Sequence, residues 1–162
     1  MSLTPEERDI VIRLRLQNAD EAHVDAISLL DRGSLRGAAN RLYYAVFHAL
    51  SAMALSEGKV FGKHQGIISF FHADCVRTGR FEKKFGRVVQ KAFEDRTEAD
   101  YEDDVTFDDE ELRTRSGDVR ELIDLVKQFI IPKPCSRGET TSCGEATTPP
   151  ADIDIAPTIC PD

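Results

Sequence analysis

Past Pro5 the chain has no proline until residue 132. Such a run permits long helices, because nothing in it deletes a backbone donor or clashes with the preceding turn. No apolar stretch approaches the roughly 20 residues that a membrane helix needs. The opening decapeptide, MSLTPEERDI, has neither a basic n-region nor an apolar h-region, so the expectation is a cytoplasmic protein with no secretory leader and no membrane partner. Four cysteines are present, and no two form a CxxC pair, which leaves the common zinc patterns unmatched. His72 and Cys75 are three residues apart on an expected helix, but two ligands fall short of a site, and neither metal nor cofactor is expected. Internal repeats and the alternating pattern of strands are both missing.

What remains is ordinary globular material, 162 residues of which 41% are apolar and 31% charged, enough for one core and not two. The apolar spacing predicts five helices. Thr4-Pro5-Glu6-Glu7 reads as a cap, a first-turn proline and a capping-box glutamate. Helix one follows through Ile10, Leu14, Ala19, Ala22, Ala26, Leu29 and Leu30 to Gly33. Ser34 is the expected cap of helix two, which runs to about Glu57. Its apolar residues are dense enough to make it the buried centre of a bundle. Helix three spans about His64 to Arg77 and helix four about Lys83 to Ala99. An acidic loop, Tyr101 to Phe107, leads to an Asp108/Glu111 capping box and helix five, ending at Ile131. The reading is an all-α antiparallel four- to five-helix bundle over residues 1–131. Residues 132–162 hold six of the seven prolines with many Thr and Ser, and read as a disordered tail.

Charge is unevenly placed. The net value is −8, yet residues 32–91 carry 11 Lys and Arg against 3 acids, while residues 94–111 carry 11 acids against Arg96 alone. A basic middle can meet phosphates or an acidic protein surface.

The chemistry-bearing residues concentrate in helix two. Arg41 and His48 are seven positions apart, nearly two turns, so both share one face about 10 Å apart along the axis. Tyr44 lies between them. An imidazole that titrates near neutrality and a guanidinium that grips phosphate are the parts RNA cleavage needs. The plainer alternative is a hydrogen-bonded core histidine and an arginine paired with the acidic segment. Arg96 and Asp100 are likewise either site residues or an i,i+4 ion pair. Tyr43 and Phe47 read as core. The connector Gly58 to His64, with Lys59 and Lys63 ahead of a helix, reads as an anion site or a solvated loop.

The segment Asn40-Arg41-Leu42-Tyr43-Tyr44-Ala45-Val46-Phe47-His48-Ala49 resembles the YYAxFHA helix of the HEPN family (higher eukaryotes and prokaryotes nucleotide-binding), in its UPF0332-like subgroup. Lys63-His64-x-Gly66 and Arg96-x-x-Ala99-Asp100-Tyr101 are similar to that subgroup as well. Many HEPN proteins are metal-independent ribonucleases that use an Arg followed by a His, and they typically act as homodimers. The resemblance therefore implies Arg41, Tyr44 and His48 as catalytic residues, with Lys59, Lys63, His64, Arg96, Asp100 and Tyr101 toward a nucleotide or phosphate. It implies RNA and a minimal nucleotidyltransferase as partners, in a toxin–antitoxin-like module. The other function it allows is a non-catalytic dimeric module that binds a nucleotide, substrate or partner. Leu42 stands where the nuclease motif usually has a polar residue, and the late Arg96 motif ends on Tyr101 instead of histidine.

Overall fold

The computed structural model describes residues 3–101 and 106–130. All regular structure among them is helical. The expected tail, 132–162, and part of the acidic loop lie outside the described residues.

Helix α1 spans Pro5–Asp31. Its start is held by the expected reciprocal box, Glu7 N–H donating to Thr4 Oγ1 at 3.2 Å and Thr4 N–H to Glu7 Oε2 at 2.8 Å. Its end is a left-handed turn at Gly33, φ +70°, where Ser34 N–H reaches back to Leu29 O at 2.8 Å. Only glycine enters that conformation without strain. Helix α2, Leu35–Ser56, begins at once. Ser34 does not cap it through its hydroxyl, contrary to expectation. The tight link leaves Ser34 at φ −86°, ψ 70°, away from the extended conformation that aims a cap side chain at the first free N–H groups.

Helix α3, His64–Phe70, widens into a π-helical turn over Phe71–Val76. Helix α4 covers Lys83–Tyr101 and α5 covers Asp109–Ile130. Asp108 caps α5, accepting from Glu111 N–H at 2.8 Å. The Glu111 carboxylate turns to Arg115 instead of closing the second half of the box.

The cross-helix pairs give the topology. Asn40 and Tyr43 on α2 meet Asp100 and Phe93 on α4. Asp31 and Asp20 on α1 pair with Arg113 and Arg120 on α5. Asp95 and Lys84 on α4 pair with Arg115 and Glu121 on α5. Each pairing runs antiparallel, so α1, α2, α4 and α5 form an up-down bundle with α3 attached to its side. Helix α2 is the centre, with 13 of its 22 residues buried. Because Leu42, Val46 and Leu50 are each 1% exposed, the apolar face of α2 is spent inside the bundle. It is not available as a self-association face.

One register differs from expectation. Ile10 and Leu14 are exposed, while Ile12 and Leu16 are buried. The true seam of α1 is Ile12, Leu16, Ala19, His23, Ala26, Leu30, with spacings of three and four throughout. It includes a histidine, whose Nε2 lies 2.9 Å from Ser116 O and 3.1 Å from its Oγ. A polar residue in the seam hid the period.

Candidate functional site

Because α2 is central, its polar residues emerge at helix boundaries. Arg41, Tyr44 and His48 line a cleft of about 330 Å³ against Asn18, Glu21, Ala22 and Asp25 of α1. The expected trio therefore shares a solvent-connected cleft. Arg41 is half-buried and makes no ion pair with the described residues of the acidic segment. Its guanidinium sits 5.2 Å from the centre of the Tyr44 ring and makes one long contact, 3.5 Å, with Asn40 Oδ1. The Tyr44 and His48 rings follow at 6.3 Å between centres.

His48 is half-buried and has no backbone carbonyl partner among the described residues. Its Nδ1 is buried with no hydrogen bond. Burial, then Arg15, then Arg41 hold its pKa below the usual histidine value. Each disfavours the imidazolium, the first by desolvation and the other two by like charge. At neutral pH the ring is therefore uncharged. An uncharged ring leaves its proton off the nitrogen that lacks an acceptor, because a buried unpaired N–H is costly. That places the proton on Nε2.

The cleft carries both signs. Glu21 and Asp25 oppose Arg41 from α1 without an ion pair to it, and Glu21 instead accepts from Gln17 Nε2 at 2.8 Å.

One residue back at each step, α2 builds a second polar cluster toward α3 and α4. The Tyr43 hydroxyl is hydrogen-bonded to His64 Nδ1. His64 stacks on Phe47 with 4.3 Å between ring centres. The Arg96 guanidinium lies 5.8 Å from the Tyr43 ring centre. Its Nε is 2.8 Å from Asp100 Oδ2, but off the N–H direction, so the pair is Coulombic and not a directed hydrogen bond. Asn40 Nδ2 donates to Asp100 Oδ1 at 3.3 Å. Burial pushes the Tyr43 phenol up to about 12, against Arg96, which lowers it. Burial, followed by Arg96, lowers the His64 pKa.

The structure thus brings His64, Arg96 and Asp100 together. It does not bring Lys59, Lys63 or Tyr101 to them. Lys59 is 2.6 Å from Asp74 and 3.3 Å from Glu57, so its charge is already matched. Lys63 is exposed, and Tyr101 is 77% exposed at the end of α4. Among the described residues no three His, Cys, Asp or Glu side chains gather as metal ligands, and no helix is long and apolar enough to cross a membrane.

Sequence reasoning missed the α1 wall of the cleft and the polar role of Tyr43. The signal for the wall was present as Val11, Arg15, Asn18, Ala22 and Asp25, a mixed stripe at helical spacing beside the core seam. Tyr43 gave none, because a tyrosine 2% exposed reads as core until its hydroxyl partner is known.

The model of the HEPN domain matches residues 12–130, which takes in all of α1 after its first two turns and every later helix. The chain belongs to the HEPN family. Among curated proteins, this HEPN chain is 32% identical over 124 residues to a UPF0332 protein of Thermotoga maritima, covering 76% of this chain and 94% of that one. A second UPF0332 protein, from Pyrococcus horikoshii, is 32% identical over 85 residues, 52% of this chain and 57% of the relative. A protein of Methanocaldococcus jannaschii named "Putative toxin MJ0605" is 31% identical over 105 residues, covering 65% of this chain and 75% of the relative. The HEPN match includes all of α2, and so both polar clusters.

Proposed function

We propose that this chain is a toxin-like HEPN module whose α1–α2 cleft holds an RNA phosphodiester and cleaves it without metal. The observation that carries this reading is His48: an uncharged, half-buried imidazole two turns from an arginine that no carboxylate among the described residues binds. Arg41 would steady the developing phosphate charge, Tyr44 would orient the phosphate or stack a base, and His48 would move the proton. A base working through Nε2 must first carry its proton on Nδ1, and that N–H has no acceptor among the described residues. Substrate binding, or a second copy of the chain, has to supply one.

The second copy has a place to sit. Ile10 and Leu14, 57% and 52% exposed, fall on the same α1 stripe as Glu21 and Asp25 by their spacing of 4, 7 and 4 residues. A homodimer packed over that stripe borders both clefts. The toxin-like relatives suggest an antitoxin as partner, and the family resemblance makes a minimal nucleotidyltransferase the candidate for that role.

The test is cleavage of a generic RNA by purified protein. Cleavage should persist in EDTA and fall at least roughly 100-fold in His48→Ala, the usual size of a proton-transfer contribution. No cleavage by the parent chain ends the enzyme reading. Glu21 and Asp25 in the cleft favour the second reading, a non-catalytic site for a nucleotide or partner, since carboxylates repel a bare phosphate. Under that reading a nucleotide binds and is released unchanged.

A further inference from the structure

The cleft does not end at His48. Beyond it the same α1–α2 groove opens into a second, largely apolar cavity of about 150 Å³, walled by Val11, Phe47, Ser51, Val60 and Phe61 with Arg15 among its lining. The residues interleave along both helices. On α1 the order is Asp25, Ala22, Asn18, Arg15, Val11, and on α2 it is Arg41, Tyr44, His48, Ser51, Ala54. Two cavities therefore lie end to end and meet where Arg15 faces the Phe47–His48 step.

Their electrostatics differ. The first holds two carboxylates beside its arginine. The second is lined by none. Of its two cations, Lys59 is matched by Asp74 and Glu57. Arg15 has no ion pair or hydrogen bond among the described residues, and its charge reaches His48. An anion entering the groove is drawn to the His48–Arg15 junction and away from the Glu21–Asp25 end. Size limits what accompanies it. An apolar cavity of about 150 Å³ accommodates a single benzene-sized ring. Two aromatic side chains and one ring of room are the features of a base-stacking pocket.

We propose that this second cavity is a subsite for one pyrimidine base of a nucleotide, whose phosphate is held between Arg15 and His48. The inference rests on the nucleic-acid reading of the cleft and adds to it a positioning residue on α1 and a preference for single-ring bases. A purine, with two fused rings, overfills the pocket.

The test uses the full chain and uridine monophosphate, with adenosine monophosphate and inorganic phosphate as comparators, read by calorimetry. Uridine monophosphate should bind at least tenfold more tightly than either comparator. Arg15→Gln should weaken it at least tenfold, about the 1.4 kcal/mol of one charge-assisted hydrogen bond. Val60→Glu should do the same, by placing a carboxylate at a position 80% exposed where folding is not at stake. Equal binding of the three probes, or no effect of both variants, overturns the subsite. RNA cleavage is scored separately. Pyrimidine binding that depends on Arg15, in a chain that cuts no RNA, keeps the subsite and removes the nuclease. Cleavage at purines and pyrimidines alike, unchanged in Arg15→Gln, removes the subsite and keeps the nuclease.

Discussion

The Tyr43 hydroxyl is hydrogen-bonded to Nδ1 of His64, joining the centre of α2 to the first residue of α3. The His64 ring is in turn stacked on Phe47. Of the three tyrosines, this one should ionise near pH 12. Ultraviolet titration should show a high phenolate step that disappears in Tyr43→Phe. The sign for stability follows. The folded phenol keeps its proton where the unfolded one, near pH 10, has lost it, so stability falls as pH rises through that window. Tyr43→Phe should remove this alkaline loss, at a cost of about 1 kcal/mol for the missing hydrogen bond near neutrality.

His48 should titrate below the ordinary histidine value. Burial and two guanidiniums disfavour its charged form, so nuclear magnetic resonance of its ring should place the midpoint under 6.5. Arg15→Gln and Arg41→Gln should each move it upward. Below the unfolded value the unfolded chain binds the proton more readily, so the ring's effect on stability is a loss that grows as pH falls toward the folded midpoint. A midpoint above 6.5 in the parent chain would contradict the local electrostatics described above.

Asp95 and Arg115 tie α4 to α5, with Asp95 2% exposed and Lys91 also 3.0 Å from its carboxylate. Arg115→Leu should cost roughly 3 kcal/mol in urea unfolding, because it leaves a buried carboxylate with the half-exposed Lys91 as its one cationic partner among the described residues. Replacing Asp95 and Arg115 together by leucine should recover most of that loss. A single variant as stable as the parent would show that Lys91 alone suffices.

Ile10→Glu with Leu14→Glu should convert a dimer to monomer in light scattering while leaving the helical circular dichroism unchanged, since both residues are exposed and outside the core seam. A parent chain that is monomeric at tens of micromolar, a modest threshold for interfaces of standard size, would count against the homodimer.

Much of the bundle is readable from one chain. The Thr4 box, the glycine at residue 33 and the apolar density of α2 are local signals, and each appears in the structure where its spacing puts it. What local pattern could not supply was the partner of each polar side chain. His23 belongs to the core seam only because Ser116, 93 positions on, meets it. Lys59 looks like a free phosphate ligand until Asp74 arrives beside it. The candidate cleft was half visible for the same reason. Its α2 side carries a compact motif, whereas its α1 side is a stripe of unremarkable residues whose meaning depends on what α1 packs against.

Helix α2 carries its two polar clusters as consecutive pairs: Asn40 beside Arg41, Tyr43 beside Tyr44, Phe47 beside His48. Neighbours on a helix point about 100° apart, so one rod aims one member of each pair at the α3–α4 side and the other at α1. Neither set can shift without the other. If α2 rolls about its axis, the residues on one side swing toward the interior as those on the opposite side swing toward solvent. Such a rod works as a camshaft, on which the seat of the Tyr43–His64 side fixes the direction in which His48 faces.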